Sequence, residues 1–406
     1  MRVIFDDSQQ NNITLQITNK QSIIAHINQP FSSHKPANLY SKMTNETQAV
    51  LDNLKSLREL SDDPFQALLL AGVSRTFALT IPQLPTSLVA VIANAYLLCR
   101  IVDTIEDEVS LSPEQKRYFC SEFIHVVKTG ENSEIFALEL APLLSNQTIP
   151  AEHQLIHVLP RVIQITHSFE TPQVAALSEC VNTMAKGMPI FQAQNLHDGL
   201  ATLAEMDKYC YYVAGCVGEM LAKLFCLYSP EIAKNETELM KLSVSFGQGL
   251  QMTNILKDIW EDAQRGVCWL PQDIFTETGF DLKNLTPETN DAAFSEGLEH
   301  LISVAHEHLH NALRYTLLIP AHEIGIRKFC LLALGMAVLT LKKIKSNLKF
   351  NRSEQAKITR NSVKATIIAT DLTVRSDYLL TTLFNMTSRG LASPNWHYQT
   401  KDDCHV

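Results

Sequence analysis

The stretch GQGLQMTNILKDIWEDAQRGVCWLP, residues 247–271, limits what this chain can fold into more than any other. At 3.6 residues per turn, Gln251, Asn254, Asp258 and Asp262 recur every three or four positions and share one helix face, with Glu261 beside it. Two amides and two carboxylates flanked by Leu250, Ile255, Leu256 and Ile259 match neither a core stripe nor a solvated one. Taken alone, the segment is either an acidic helix end or half of a metal site. It has a counterpart in NAYLLCRIVDTIEDE, residues 94–108, which sets Asp103, Glu106 and Asp107 after an apolar run. Two carboxylate pairs at i, i+4, about 155 positions apart, can face each other across a helical bundle and hold divalent cations between them.

A chain of 406 residues can bury a large core, and only 14 glycines with 46 % hydrophobic residues suit a helix-rich protein. The net charge of −9 argues against a nucleic-acid partner. Nine cysteines sit singly, with no CxxC pair and no signal peptide, so the expectation is reduced thiols and a cytoplasmic location. The longest apolar run, residues 329–341, has 13 residues, short of the ~20 a bilayer span needs, so no transmembrane helix is expected.

Residues 1–44, rich in Asn, Gln and Ser, read as an N-terminal extension with a strand-like alternation at Ile13, Leu15 and Ile17. Residues 45–390 read as one all-α domain and 391–406 as a C-terminal tail. Helices are expected over 46–60, 63–73, 86–109, 113–129, 133–143, 151–168, 173–187, 202–228, 232–264, 291–317, 321–348 and 354–388, with prolines at or near the joints.

Facing acids repel unless cations sit between them. Magnesium is usually held by one or two carboxylates plus substrate phosphates, so paired acidic helices point to Mg²⁺ and a diphosphate. Other candidates group around that site. Ser74, Arg75 and Thr76 are donors at a helix end, read as a cap or a phosphate grip. Arg100, one turn before Asp103 in an apolar helix and one turn after Tyr96, needs an acid or a phosphate as partner. Tyr209, Tyr212, Gly215 and Gly218 lie on a strongly apolar helix, read as core packing or as an aromatic lining with a close ligand approach. The segment His306-Glu307-His308-Leu309-His310 matches HExxH, but no third ligand stands at a fitting spacing. Residues 342–364 carry eight basic residues against the single acid Glu354, a solvated face, an anionic-membrane contact or a nucleotide-binding strip.

DTIEDE at 103–108, YCYYVAGCVG at 209–218 and QMTNILKDIWEDAQRG at 251–266 together resemble the squalene/phytoene synthase family of head-to-head prenyl transferases. The first two look most like its squalene synthase branch, whereas RGVCWLPQDIF at 265–275 leans towards the phytoene and bacterial branch. The resemblance spans roughly residues 60–345. It implies an all-α isoprenoid-synthase bundle with a central cavity, in which two farnesyl diphosphates condense through presqualene diphosphate. In squalene synthases that intermediate is then reduced by NADPH; dehydrosqualene or phytoene are the alternatives without reduction.

By position, the resemblance assigns Mg²⁺ binding to Asp103, Glu106, Asp107, Asn254, Asp258 and Asp262. It places Ser74, Arg75, Tyr96, Arg100, Gln251 and Lys257 at diphosphate- or nucleotide-contacting positions. Tyr209 matches the tyrosine acting in the first half-reaction. Lys257 stands where many members have arginine, and Lys357-Ile358-Thr359-Arg360 is a loose counterpart of an NADPH-contacting segment, joining Arg75 and Arg100. The expected partner is farnesyl diphosphate, with no nucleic acid, a peripheral contact with the inner membrane face and a monomeric state. A relative that has lost catalysis, like respiratory-complex assembly factors, would have eroded acid clusters, and both are intact here.

Overall fold

In a computed structural model, the described residues are 57, 59–192, 194, 196–289 and 291–392. The extension expected over 1–44 and the tail beyond Ala392 lie outside them. Apolar residues at helical spacing give sixteen helices of six residues or more among the described residues. They are α1 (Asp62–Val73), α2 (Arg75–Thr80), α3 (Thr86–Asp107), α4 (Pro113–Thr129), α5 (Ser133–Leu140), α6 (Pro150–His157), α7 (Leu159–Thr166) and α8 (Thr171–Gln192). There follow α9 (Leu203–Cys210), α10 (Cys216–Tyr228), α11 (Glu236–Gln264), α12 (Gln272–Thr278), α13 (Ala292–Leu318), α14 (Ile324–Ser346), α15 (Arg360–Thr373) and α16 (Asp377–Thr387). The described part is all-α; its one β-type contact is an isolated parallel bridge between Leu200 and Pro271.

The helices close a ring. α3 packs on α8, α8 on α10, α10 on α11, α11 on α14, α14 on α2, α2 on α1, and α1 back on α3. Inside lies an apolar cavity of about 50 Å³, bordered by Phe77, Gly218, Gly247, Leu250, Tyr315 and Phe329 among others. Glycine lets the walls come together: a Cβ on Gly218 would sit 2.0 Å from the Ser243 carbonyl oxygen, and one on Gly247 2.0 Å from that of Ala214. Gly218 thus serves close helix packing. Between α9 and α10, Tyr211–Gly215 forms a π-helical turn, a local widening that sequence periodicity does not announce.

Several expected helices are cut. The one expected over 151–168 breaks at Val158, because Pro160 starts a new helix and cannot continue the old one. The single helix expected over 354–388 is three pieces, interrupted where Lys357 turns extended and again between Val374 and Ser376. The N-terminal half of the domain gains α2, and Ser74 caps it by accepting from the Phe77 N–H at 3.1 Å.

The bilayer argument from a 13-residue run also needs correction, since that run belongs to the 23-residue α14. By length and composition Thr86–Asp107, Leu203–Tyr228 and Ile324–Ser346 could each cross a membrane. Their apolar windows are 83, 56 and 72 % buried inside the protein, so the ring's own core takes up most of that surface.

Candidate active site

The C-terminal turns of α3 and α11 bring the two acidic faces to one place. Asp103 and Glu106 are buried on α3, while Asp107 at its end is more open. On α11, Asn254 and Asp262 are buried and Asp258 is half-buried. Arg265, just past α11, joins the clusters: its Nη1 lies 3.2 Å from Asp107 Oδ1 and its Nη2 donates to Asp262 Oδ1.

Tyr209 stands between them. Its hydroxyl donates to Glu106 Oε1 at 3.4 Å, and its ring stacks on Trp269 with centroids 3.7 Å apart. Burial pushes the Tyr209 pKa well above the phenolic range, and the charges of Glu106, Asp107, Asp262 and Asp103 add to it. Carboxylates of both helices therefore act on one phenol.

The acids carry the cost of their neighbourhood. Burial raises the Asp262 pKa to about 7; Arg265 opposes the rise, and the charges of Asp258 and Asp107 add to it. Asp258 is also raised, by burial first, against the pull of Lys257. Lys257, almost fully buried, places Nζ 2.9 Å from Asp258 Oδ2 and 3.5 Å from Asn254 Oδ1. Glu108, the last acid of the first motif, does different work. Although burial pushes its pKa up, hydrogen bonds from the Ser110 and Ser145 N–H groups and the Thr148 hydroxyl bring it below the usual range. It fastens a loop.

Arg100 is buried and has the acid partner its sequence demands, twice over. Nη1 lies 3.6 Å from both Asp103 Oδ2 and Glu152 Oε1, and Nη2 donates to the Tyr96 hydroxyl at 3.0 Å. Glu152, on α6, carries no sequence signal. Tyr96 in turn packs on Phe77 of α2, which lines the cavity. Arg75, the first residue of α2, is half-buried. Lys357 bridges Glu261 and Glu354 at 3.2 and 3.4 Å, whereas Arg360 is exposed at the start of α15.

Magnesium fits this donor set in one way. Among the described residues no three His, Cys, Asp or Glu side chains are grouped closely enough to cage an ion by themselves. A cation shared with a diphosphate needs only one or two carboxylates from each side. Gln251 Oε1 and Asn254 Nδ2 are buried with no hydrogen-bond partner among the described residues, on the face that carries Asp258 and Asp262. Unmet polar groups beside raised carboxylates are what a hydrated, ligand-bearing cation would satisfy.

The HExxH segment lies on α13 and has other work. His306 stacks on Phe384 and bonds to the Ala392 carbonyl oxygen at 3.2 Å, while His310 meets the same ring edge-on. His308 lies between, with Nδ1 2.8 Å from Ser245 Oγ and Nε2 3.4 Å from Asp207 Oδ1. It ties α11 and α13 to the short helix that carries Tyr209. Arg265, Trp269 and Glu152 are the residues that sequence reasoning missed at this site.

The squalene/phytoene synthase family model matches residues 70–362. The chain is 28 % identical over 298 residues to squalene synthase ERG9 of Gibberella zeae, covering 70 % of this chain and 61 % of that protein. It is 29 % identical over 277 residues to squalene synthase 1 of Arabidopsis thaliana, covering 67 % of this chain and 63 % of that protein. The chain thus spans less than two thirds of the length of these curated relatives. Among solved structures, TcSQS in complex with the ligand E5700 superposes with a TM-score of 0.65 at 23 % identity, over 83 % of this chain and 92 % of that one. A dehydrosqualene synthase in complex with a ligand gives 0.53 at 18 %, over 80 % and 99 %. At those identities the superpositions establish the isoprenoid-synthase fold. With a family model covering most of its length, this chain belongs to the squalene/phytoene synthase family.

Proposed function

We propose that the chain is a magnesium-dependent prenyltransferase that joins two farnesyl diphosphates head to head, through presqualene diphosphate, and that NADPH then reduces this to squalene. One observation carries the reading: acids of α3 and α11 converge on the buried Tyr209, and the preceding turns of α11 line an apolar cavity. Bound magnesium would draw charge from the departing diphosphate as a Lewis acid. Asp103, Glu106, Asp107, Asn254, Asp258 and Asp262 would hold it.

The remaining steps belong to the chain's own groups. Arg100 and Lys257, already among carboxylates, supply fixed positive charge where negative charge grows on the diphosphate. Ser74, Arg75, Tyr96 and Gln251, assigned by the resemblance, would orient it, Tyr96 through its hydrogen bond with Arg100. Tyr209, neutral because its burial and then its acid neighbours oppose ionisation, can present its proton or its ring to a carbocation. Below, the apolar wall from Leu250 to Gly218 keeps water from that cation.

A second reading, condensation without reduction to dehydrosqualene or phytoene, is favoured by one contact. Lys357, in the segment that loosely matches the family's NADPH-contacting one, is engaged by Glu261 and Glu354. The test is incubation with farnesyl diphosphate or its C20 homologue and magnesium, with and without NADPH, followed by mass analysis of the lipid extract. Squalene formed only with NADPH supports the first reading. A C30 or C40 product indifferent to NADPH supports the second, and no condensed product with either substrate removes both.

A further inference from the structure

The outermost helices, α15 and α16, carry apolar side chains that the bundle leaves uncovered. Of the fourteen large hydrophobic residues exposed among the described residues, five fall between 368 and 386: Ile368, Leu372, Tyr378, Leu379 and Met386. Leu372 and Tyr378 are each 77 % exposed. On α15 the outward stripe at i, i+4 reads Arg360, Lys364, Ile368, Leu372, with the exposed Arg375 after the helix end. Tyr378 and Leu379 open the next helix.

The charge on this face is sorted as well. Its two acids, both exposed, are each matched by a cation of α14: Asp371 pairs with Lys328 at 2.5 Å, and Asp377 pairs with the buried Arg327 at 2.7 Å. Basic residues remain outward, next to the Lys- and Arg-rich segment 342–364, in a protein whose net charge is −9. A segment that runs against the sign of the whole molecule and sets bare aliphatic groups between cations has the make-up of an interfacial helix.

Beneath it lies an apolar groove of about 300 Å³, between Leu331, Leu334 and Val338 of α14 and Ala369, Leu380 and Phe384 of the outer pair. The opposite face of α14, with Phe329, Cys330 and Ala333, lines the inner cavity. One helix separates the two spaces.

We propose that the α15–α16 face docks on the surface of an anionic lipid bilayer, with Ile368, Leu372, Tyr378, Leu379 and Met386 in the interface and Lys364 and Arg375 at the headgroups. This docking does not depend on the reaction assigned above. It would place the groove, one helix from the cavity, at the membrane where prenyl chains dissolve.

The full chain is mixed with phosphatidylcholine vesicles, with and without about one third phosphatidylserine, and binding is read by flotation. The expected result is binding to the anionic vesicles that weakens with salt. Leu372→Glu and Lys364→Glu should each lower it about tenfold while circular dichroism and the melting temperature stay unchanged. Two results overturn the proposal. One is wild-type protein that stays off anionic vesicles, including the case where light scattering shows a dimer that Leu372→Glu dissociates. The other is Leu372→Glu binding as tightly as wild type. Tyr378→Ser serves as a second, equally exposed variant should Leu372→Glu alter the fold.

Discussion

From Ser243 to Leu250, α11 offers glycine and apolar side chains to the cavity; from Gln251 to Asp262, the same helix offers amides and carboxylates. At a rise of 1.5 Å per residue the centres of these stretches lie only about 15 Å apart. In the first, backbones approach until a methyl group on Gly247 would overlap the Ala214 carbonyl. In the second, side chains of α3 and α11 meet through Arg265 and around Tyr209. Close backbone packing makes a dry pocket, and the proposed function makes the gathered carboxylates a cation site. A prenyl diphosphate has the same two ends, so one straight helix can serve both.

The acidic end should be the more fragile in function. Asp103→Asn and Asp258→Asn are expected to lower kcat by about 10²–10³-fold with the fold preserved by circular dichroism. Unchanged turnover in either variant would detach that carboxylate from the reaction. The apolar end should be the more fragile in stability: Gly247→Ala forces a Cβ against the Ala214 carbonyl and should cost about 1–3 kcal/mol in denaturant unfolding. A variant as stable as wild type would mean that the helices can part there.

Protons sharpen the contrast, because residues 243–250 of α11 carry no titratable side chain. Asp262 titrates near 7 in the cation-free protein, above its unfolded value. Its protonation therefore favours the fold at low pH, and that contribution disappears as pH rises through about 7. Magnesium needs the carboxylate. Its affinity should climb between about pH 6 and 8, by up to about tenfold per unit below the titration point, as calorimetry would record. Asp262→Asn should flatten the profile. The smallest effect belongs to Arg265, which is partly exposed: Arg265→Ala should change cation-free stability by under about 1 kcal/mol, measured in low and high salt.

The legible parts of this molecule are those written in periodicity. The acid faces, Arg100 and the helices around them follow from spacing alone, because a charge on an apolar helix must meet a partner or a ligand. The identity of that partner was not legible: Glu152 reaches Arg100 from another helix, and Arg265 reaches Asp107 across 158 positions. Trp269 sits in the stretch RGVCWLPQDIF, yet its stacking on Tyr209 depends on the turn after α11. The helix expected over 354–388 failed for a local reason. Its apolar pattern runs on through Lys357–Thr359, where the backbone extends and Thr359 begins a new cap. In the HExxH segment the histidines gave a motif, while their neighbours, Phe384, Ser245 and Asp207, decide what they do.

The claim beneath all of this is that α3 and α11 jointly hold magnesium on a diphosphate. A crystal structure of the chain with Mg²⁺ and a non-hydrolysable farnesyl thiodiphosphate tests it most directly. The account predicts metal density between the diphosphate and carboxylates of both helices, Asp103 or Asp107 on one side and Asp258 or Asp262 on the other, with the prenyl chain running towards Gly247. Metal held by one helix alone, or a diphosphate seated away from Tyr209, would contradict it.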